Sequence, residues 1–106
     1  MFRGTTPTFI FELDTDIDLT TLSQVWVTIQ DVLGRQTTWD INRVTIDNEH
    51  KRISLTLTQQ ETLPMIPGIG RVQIRMLTNE GVALTTYCER IPINMIIKEG
   101  VITDAE

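Results

Sequence analysis

The segment "ELDTDIDL" places Asp14, Asp16 and Asp18 at the spacing with which calcium-binding loops begin. Such a loop needs a glycine at its sixth position for the sharp turn and a bidentate glutamate at its twelfth. Those positions hold Leu19 and Val25, the second inside an alternating apolar run. The aspartates therefore read as a solvated acidic loop that discourages pairing at a sheet edge, and no metal is expected. His50, the only histidine, lies in the charged turn "DNEHK". No G-x-S-x-G, C-x-x-C, H-E-x-x-H or glycine-rich phosphate loop accompanies it. Pairs of carboxylates can be drawn from many of the 14 acidic residues, so no pair specifies an acid–base site. No catalytic residue and no cofactor is assigned, and the chain reads as a non-enzyme.

Cys88 is the single cysteine, which leaves no partner for an internal disulfide and suits a reducing compartment. It shares parity with Val82 and Leu84, so a small, buried and unreactive thiol is expected. The aromatic residues carry more. Trp26 is out of phase with Val25, Val27 and Ile29, and Tyr87 is out of phase with Val82, Leu84 and Cys88. If the aliphatic residues face a core, both rings stand on the other side, where they can build a protein interface or a carbohydrate platform. Trp39, beside a turn, is assigned to the core.

These residues must be positioned by strands. Phe9, Phe11 and Leu13 alternate with Ile10 and Glu12, which is the period of a half-buried strand. The pattern returns at Val25, Val27 and Ile29, at Val44 and Ile46, and at Ile53, Leu55 and Leu57. It continues at Val72, Ile74 and Met76, at Val82 and Leu84, and at Ile91, Ile93 and Met95. Threonine, 17 of 106 residues, suits strand faces that meet water. "VLGRQ", "DNEHK" and "TNEGV" join neighbouring runs as hairpin turns do, so those neighbours should be antiparallel. The expected architecture is an all-β, antiparallel, immunoglobulin-like β-sandwich of seven or eight strands.

One short helical turn is expected near 58–63. Thr58 and Glu61 form a capping-box pair, after which Pro64 and Pro67-Gly68 stop the helix. Such a turn suits a corner where the chain changes sheets, with Leu63 or Met65 plugging the end of the core. The alternative is an irregular surface loop. Pro92 cannot donate to a ladder, so the last strand is expected at an edge or to begin there. The tail 98–106 is read as mobile or as a segment where a neighbour docks.

With 106 residues, 41% of them hydrophobic and 22% charged, the chain is sized for one domain, 1–106, with one core. The net charge of −5 and the scatter of nine basic residues along the chain argue against nucleic acid and anionic membrane surfaces as partners. No apolar run approaches the roughly 20 residues of a spanning helix, and the N-terminus lacks the apolar core of a signal peptide. Synthesis and retention in a cytoplasm, or export only as part of something larger, is the expectation.

The segment "ISLTLTQQETLPMIPGIGRVQIRML", the following "TNEGVAL", and the opening "RGTTPT" before a Phe-rich strand resemble small structural proteins of phages and prophages of gut Firmicutes. They are also similar to the N-terminal immunoglobulin-like domain of phage baseplate upper proteins. The matching positions are Leu57, Thr58, Glu61 and Thr62, then Gly68 or Gly70, then Asn79 and Gly81. These residues make a fold and carry no chemistry. The resemblance implies a virion component of the tail or baseplate, made in a bacterial cytoplasm. Because the chain lacks the fibre or coiled-coil extension of the longer proteins, an accessory or adaptor subunit is implied in place of a host-binding one. Its partners would be other phage structural proteins or further copies of itself. A carbohydrate- or cell-surface-binding module is the alternative, supported only by Trp26, Tyr87 and the threonine-rich faces.

Overall fold

Alternating apolar runs become strands because the pleat sends successive side chains to opposite faces, and one face can then be hidden against a second sheet. A computed structural model describes residues 1–103; Asp104, Ala105 and Glu106, the last three residues of the tail 98–106, lie outside the described residues. Among the described residues there are eight strands: β1 Thr8–Glu12, β2 Leu22–Gln30, β3 Gln36–Trp39, β4 Val44–Asp47, β5 Arg52–Thr56, β6 Gly68–Thr78, β7 Ala83–Thr85 and β8 Glu89–Ile93. One helical turn, α1 Gln59–Thr62, lies between β5 and β6. Among the described residues no helix is long and apolar enough to cross a membrane.

Three strands form one sheet in the order β1-β5-β4. The second sheet runs β3-β2-β6, and β7 and β8 lie end to end along the free side of the long strand β6. All strand pairs are antiparallel, including the three hairpin pairs β2–β3, β4–β5 and β6–β7. In immunoglobulin terms β1, β5 and β4 take the places of strands B, E and D, and β3, β2, β6 and β7–β8 take those of C′, C, F and G. This is a two-sheet β-sandwich of immunoglobulin type. Among the described residues no strand covers the outer edge of β1, where strand A would lie.

The core is built from the faces that the alternation marks. Val25, Val27 and Ile29 of β2 and Val72, Ile74 and Met76 of β6 meet Ile53 and Leu55 of β5 and the adjacent Leu57, all buried in one cluster. Phe9, Phe11, Leu13, Val44 and Ile46 pack half-buried against it. Gly70 lies where the backbones crowd: a Cβ there would sit 2.7 Å from the carbonyl oxygen of Gln30. The Thr58–Glu61 capping box forms, with each backbone N–H donating to the other's side chain at 2.9 and 3.2 Å. Met65 is buried and closes that end of the core, while Leu63 is half-buried.

Pro92 lies in β8, paired on one side with Ile69 of β6. Its carbonyl oxygen accepts from the Met1 ammonium at 2.7 Å, on the other side. N–H and C=O of one strand residue point the same way, so the missing N–H of Pro92 faces away from the ladder, as an edge position requires. Beyond β8 the described tail is tethered: Glu99 pairs with Arg3 at 3.0 Å, and Ile102 exchanges two hydrogen bonds with the Gln59 side chain.

Three expectations about the C-terminal strands are corrected. Val82 is 47% exposed, and Cys88 is exposed where a buried thiol was expected. Val82 lies in the β6–β7 turn, one residue before β7 begins, where its N–H donates to the Thr78 hydroxyl; for Cys88 the reason is a break in the strand. Thr86 leaves β7, exchanging hydrogen bonds between its backbone and hydroxyl and the backbone of Ile74, and pairing resumes only at Glu89. A kink between two strands resets parity, so alternation counted across it gives the wrong face. Met95 is 68% exposed and not on the buried face of Ile91 and Ile93, because pairing with β6 ends at Gly68 and Ile93. In the native protein Cys88 is therefore expected to react with a disulfide reagent within about tenfold of the rate of a free model thiol, as an accessible thiol does. Labelling that waits for unfolding would show it to be shielded.

Candidate functional site

Parity within β2 decides where Trp26 points, since it alternates with buried Val25 and Val27, and a bulge lies just before this run. The register with β6 slips between Leu22 and Gln24, so that Leu22 and Val25, of opposite parity, both face inward. Trp26 is then sent to the outer face of the five-stranded sheet, 50% exposed, with its Nε1 donating to Gln24 Oε1 at 2.9 Å. It stands directly across from Arg75, and beside it lies a shallow depression of about 260 Å³ lined by Gln24, Arg75, Met76, Leu77 and Ala83.

The rest of that face follows from register. Opposite β2, the residues Arg71, Gln73, Arg75 and Leu77 of β6 point outward, alternating with buried Val72, Ile74 and Met76. On β3, Gln36 and Thr38 join them, with Thr38 and Thr28 sharing a hydroxyl hydrogen bond of 2.9 Å. On β8, Arg90 lies directly opposite Arg71. Among the described residues this face holds three arginines and no aspartate or glutamate, in a chain whose net charge is −5. Arg71, Arg75 and Arg90 take part in none of the ion pairs among the described residues, which are Arg3–Glu99, Arg43–Glu61, His50–Asp47 and Arg52–Glu12.

Tyr87, 93% exposed, is placed elsewhere. It stands in the kink between β7 and β8, at the mouth of a cleft of about 600 Å³ that opens along the uncovered edge of β1. Phe11, Leu13, Ile74, Met76 and Leu84 give the cleft an apolar floor, and Glu12, Asp14 and Glu89 stand on its rim. The two aromatic candidates thus serve different cavities.

The residues with potential for chemistry are spread. His50 sits in the β4–β5 turn, where its Nδ1 bonds Asp47 Oδ2 at 2.8 Å and its N–H donates to Asp47 Oδ1 at 3.2 Å. The ring's hydrogen bond holds Asp47 below the usual carboxylate range. Among the described residues Asp47, Glu49 and His50 form the only group of three potential ligands within 4.8 Å, and turn hydrogen bonds account for the Asp47–His50 contact. Asp14, Asp16 and Asp18 do not converge. Asp18 instead caps a short 3-10 turn, Leu19–Thr21, accepting from the Thr20 hydroxyl at 2.7 Å and the Thr20 N–H at 3.0 Å, and these bonds lower its pKa. Lys51, at φ 52°, crosses back to donate to the Ile17 carbonyl at 2.9 Å. It ties the acidic loop to the β4–β5 turn.

No family model matches the chain, and no curated protein matches it. The class is defined by the fold: an antiparallel β-sandwich with an uncovered, acid-free sheet face centred on Trp26.

The arginines of this face were the part that reading along the chain missed. Nine basic residues look scattered in the linear order. The alternation Arg71, Gln73, Arg75 against Val72, Ile74, Met76 was a signal that two of them share a face with each other. The addition of Arg90 needed the β6–β8 register.

Proposed function

We propose that the protein is a non-enzymatic structural subunit of a phage or prophage particle, an accessory or adaptor of the tail or baseplate, acting by protein–protein docking. The observation that carries docking is the outer face of the five-stranded sheet, where a half-exposed Trp26 is surrounded by arginine, glutamine and threonine with no acidic residue. Tryptophan and arginine are the residue types most enriched at the energetic centres of interfaces. Their extended side chains give area and directed hydrogen bonds on a rigid sheet, so little ordering entropy is lost on binding. The phage setting is supported by the resemblance of residues 53–84 to the immunoglobulin-like baseplate domain. The Trp26→Ala variant tests the reading. The ring is half in water, so folding stability should move by less than about 1 kcal/mol, while incorporation into purified particles should fall at least about tenfold. Equal incorporation of both forms, or recovery of the wild type only outside particles, would exclude it.

A second reading is a carbohydrate- or cell-surface-binding module, favoured by an exposed Trp26 that shares its sheet face with Gln24, Thr28 and Gln73. It requires that the wild type be retained on insoluble cell-wall polysaccharide, and that Trp26→Ala lose retention while keeping its fold.

A further inference from the structure

Arg71 and Arg90 face each other directly across β6 and β8. Like charges at opposed positions of an antiparallel pair destabilise it, and no carboxylate of the described residues is within ion-pair distance of either. With Arg75 beside Trp26, three of the nine basic residues gather on a face without acids, leaving six basic residues against all 14 acidic ones for the rest of the chain.

The acidic residues gather too. Glu12, Asp14, Asp16 and Asp18 lie on the end of β1 and the loop that follows, and Asp47 and Glu49 lie in the β4–β5 turn. Hydrogen bonds from the Leu13 N–H to the Lys51 carbonyl and from Lys51 Nζ to the Ile17 carbonyl bind these two segments into one end of the molecule. Asp14, Asp16 and Glu49 are exposed there and make none of the hydrogen bonds that shape the turns. This end belongs to the three-stranded sheet, and the arginine face is the outer side of the opposite layer.

From this we propose that the Trp26–Arg71–Arg75–Arg90 face docks onto the acidic end of a second copy of the chain, head to tail. The inference rests on the reading of this face as a docking surface and names the partner. Face against face would set three arginines on three arginines, and acidic end against acidic end would repel likewise; a two-fold pair in which each face meets the other copy's acidic end is disfavoured because the two patches lie on opposite layers. A heterologous contact remains, in which every copy presents both halves of the interface. It builds a ring where its rotation closes and a filament where it does not. Docking would place carboxylates between Arg71 and Arg90 and remove their mutual repulsion, and the Trp26 ring would be covered in the same step.

The test uses light scattering and sedimentation of the full chain over a range of concentrations. Self-association is expected at about 0.01 M ionic strength, where charges reach about 30 Å, and should weaken by about tenfold or more at 1 M, where they reach about 3 Å. Two variants separate the halves. Arg71→Gln, Arg75→Gln, Arg90→Gln neutralises the face. Asp14→Asn, Asp16→Asn, Glu49→Gln neutralises the acidic end and spares Asp18 and Asp47, which shape their turns. Circular dichroism and melting serve as fold controls. Each variant alone should be monomeric. Mixed in equal amounts they should form a dimer and stop there, because one intact face meets one intact end. A monomeric wild type at low salt, self-association that survives the arginine changes, or a mixture that stays monomeric would overturn the proposal. Should the monomeric wild type bind immobilised polyglutamate in a Trp26-dependent way, the second copy is excluded as partner while the docking reading stands.

Discussion

Leu55→Ala is expected to cost about 3–4 kcal/mol of folding stability, the largest effect of any single truncation proposed for this chain. Leu55 is fully buried in the middle strand of the three-stranded sheet, paired with Phe9 on one side and Val44 on the other. Its side chain is part of the layer that meets β2 and β6. Removing three carbons loses their transfer from water, and strands held by ladders on both sides cannot close over the space. Against a total of about 5–15 kcal/mol for a domain of this size, the melting temperature should fall by roughly 12–25 °C. Leu55→Met, which keeps the volume, should cost less than about 1.5 kcal/mol. Thermal melts of the three proteins decide the matter: equal melting of Leu55→Ala and wild type would mean that the two sheets do not bury this position.

Glu61→Ala should cost about 2–3 kcal/mol, and it should do so only where the carboxylate would be ionised. One carboxylate gathers four hydrogen bonds from three residues. It accepts from Thr58 N–H at 2.9 Å, from Trp39 Nε1, and from Arg43 through two nitrogens at 2.7 and 2.8 Å. Arg43 also reaches the Thr56 carbonyl at 3.1 Å. The helical turn α1, the β3–β4 connection and the end of β5 are joined at this point. The Arg43 hydrogen bonds, followed by those from Trp39 and Thr58, take the Glu61 pKa from its ordinary 4.5 down to about 2, against the opposing effect of burial. At face value such a shift corresponds to about 3 kcal/mol. The pair is partly open to solvent, with side chains 40% and 21% exposed, so screening brings the expectation nearer 2 kcal/mol.

The sign of the pH dependence follows. The folded-state pKa is depressed, so the contribution is fully present above the unfolded value of 4.5 and is lost as pH falls from there through about 2. Wild type should therefore lose about 2 kcal/mol relative to Glu61→Ala across that interval. Denaturant titrations of both at pH 7 and at acid pH measure it. A constant difference between the two proteins would mean that the charge-assisted bonds contribute nothing.

Much of this molecule was legible in the chain. Val25, Val27 and Ile29, Ile53, Leu55 and Leu57, and Val72, Ile74 and Met76 all lie buried where the alternation places them. Trp39 is in the core, and the Thr58–Glu61 box caps the one α-helical turn. These features are local: a strand's period, a turn's glycine or a cap's hydroxyl acts within a few residues. The failures came where that locality was broken. Cys88 was read through a kink at 86–88, and Met95 was read past the last residue that β6 could pair. No residue type marks either point, since the kink depends on Thr86 finding the backbone of Ile74, twelve positions back in the chain.

The chain by itself determined that this protein is a sandwich of antiparallel strands, which residues make up most of its core, and that Trp26 stands outside it. Side-chain parity along a strand is dictated by the pleat, and burial selects one face without reference to which strands are neighbours. Only the tertiary structure decided what surrounds Trp26. Register between strands distant in sequence set Arg90 against Arg71 and Arg75 against Trp26, and the folding of two segments about Lys51 brought the acidic residues to one end. Charge acts through space, so its pattern exists only once the strands have been laid side by side.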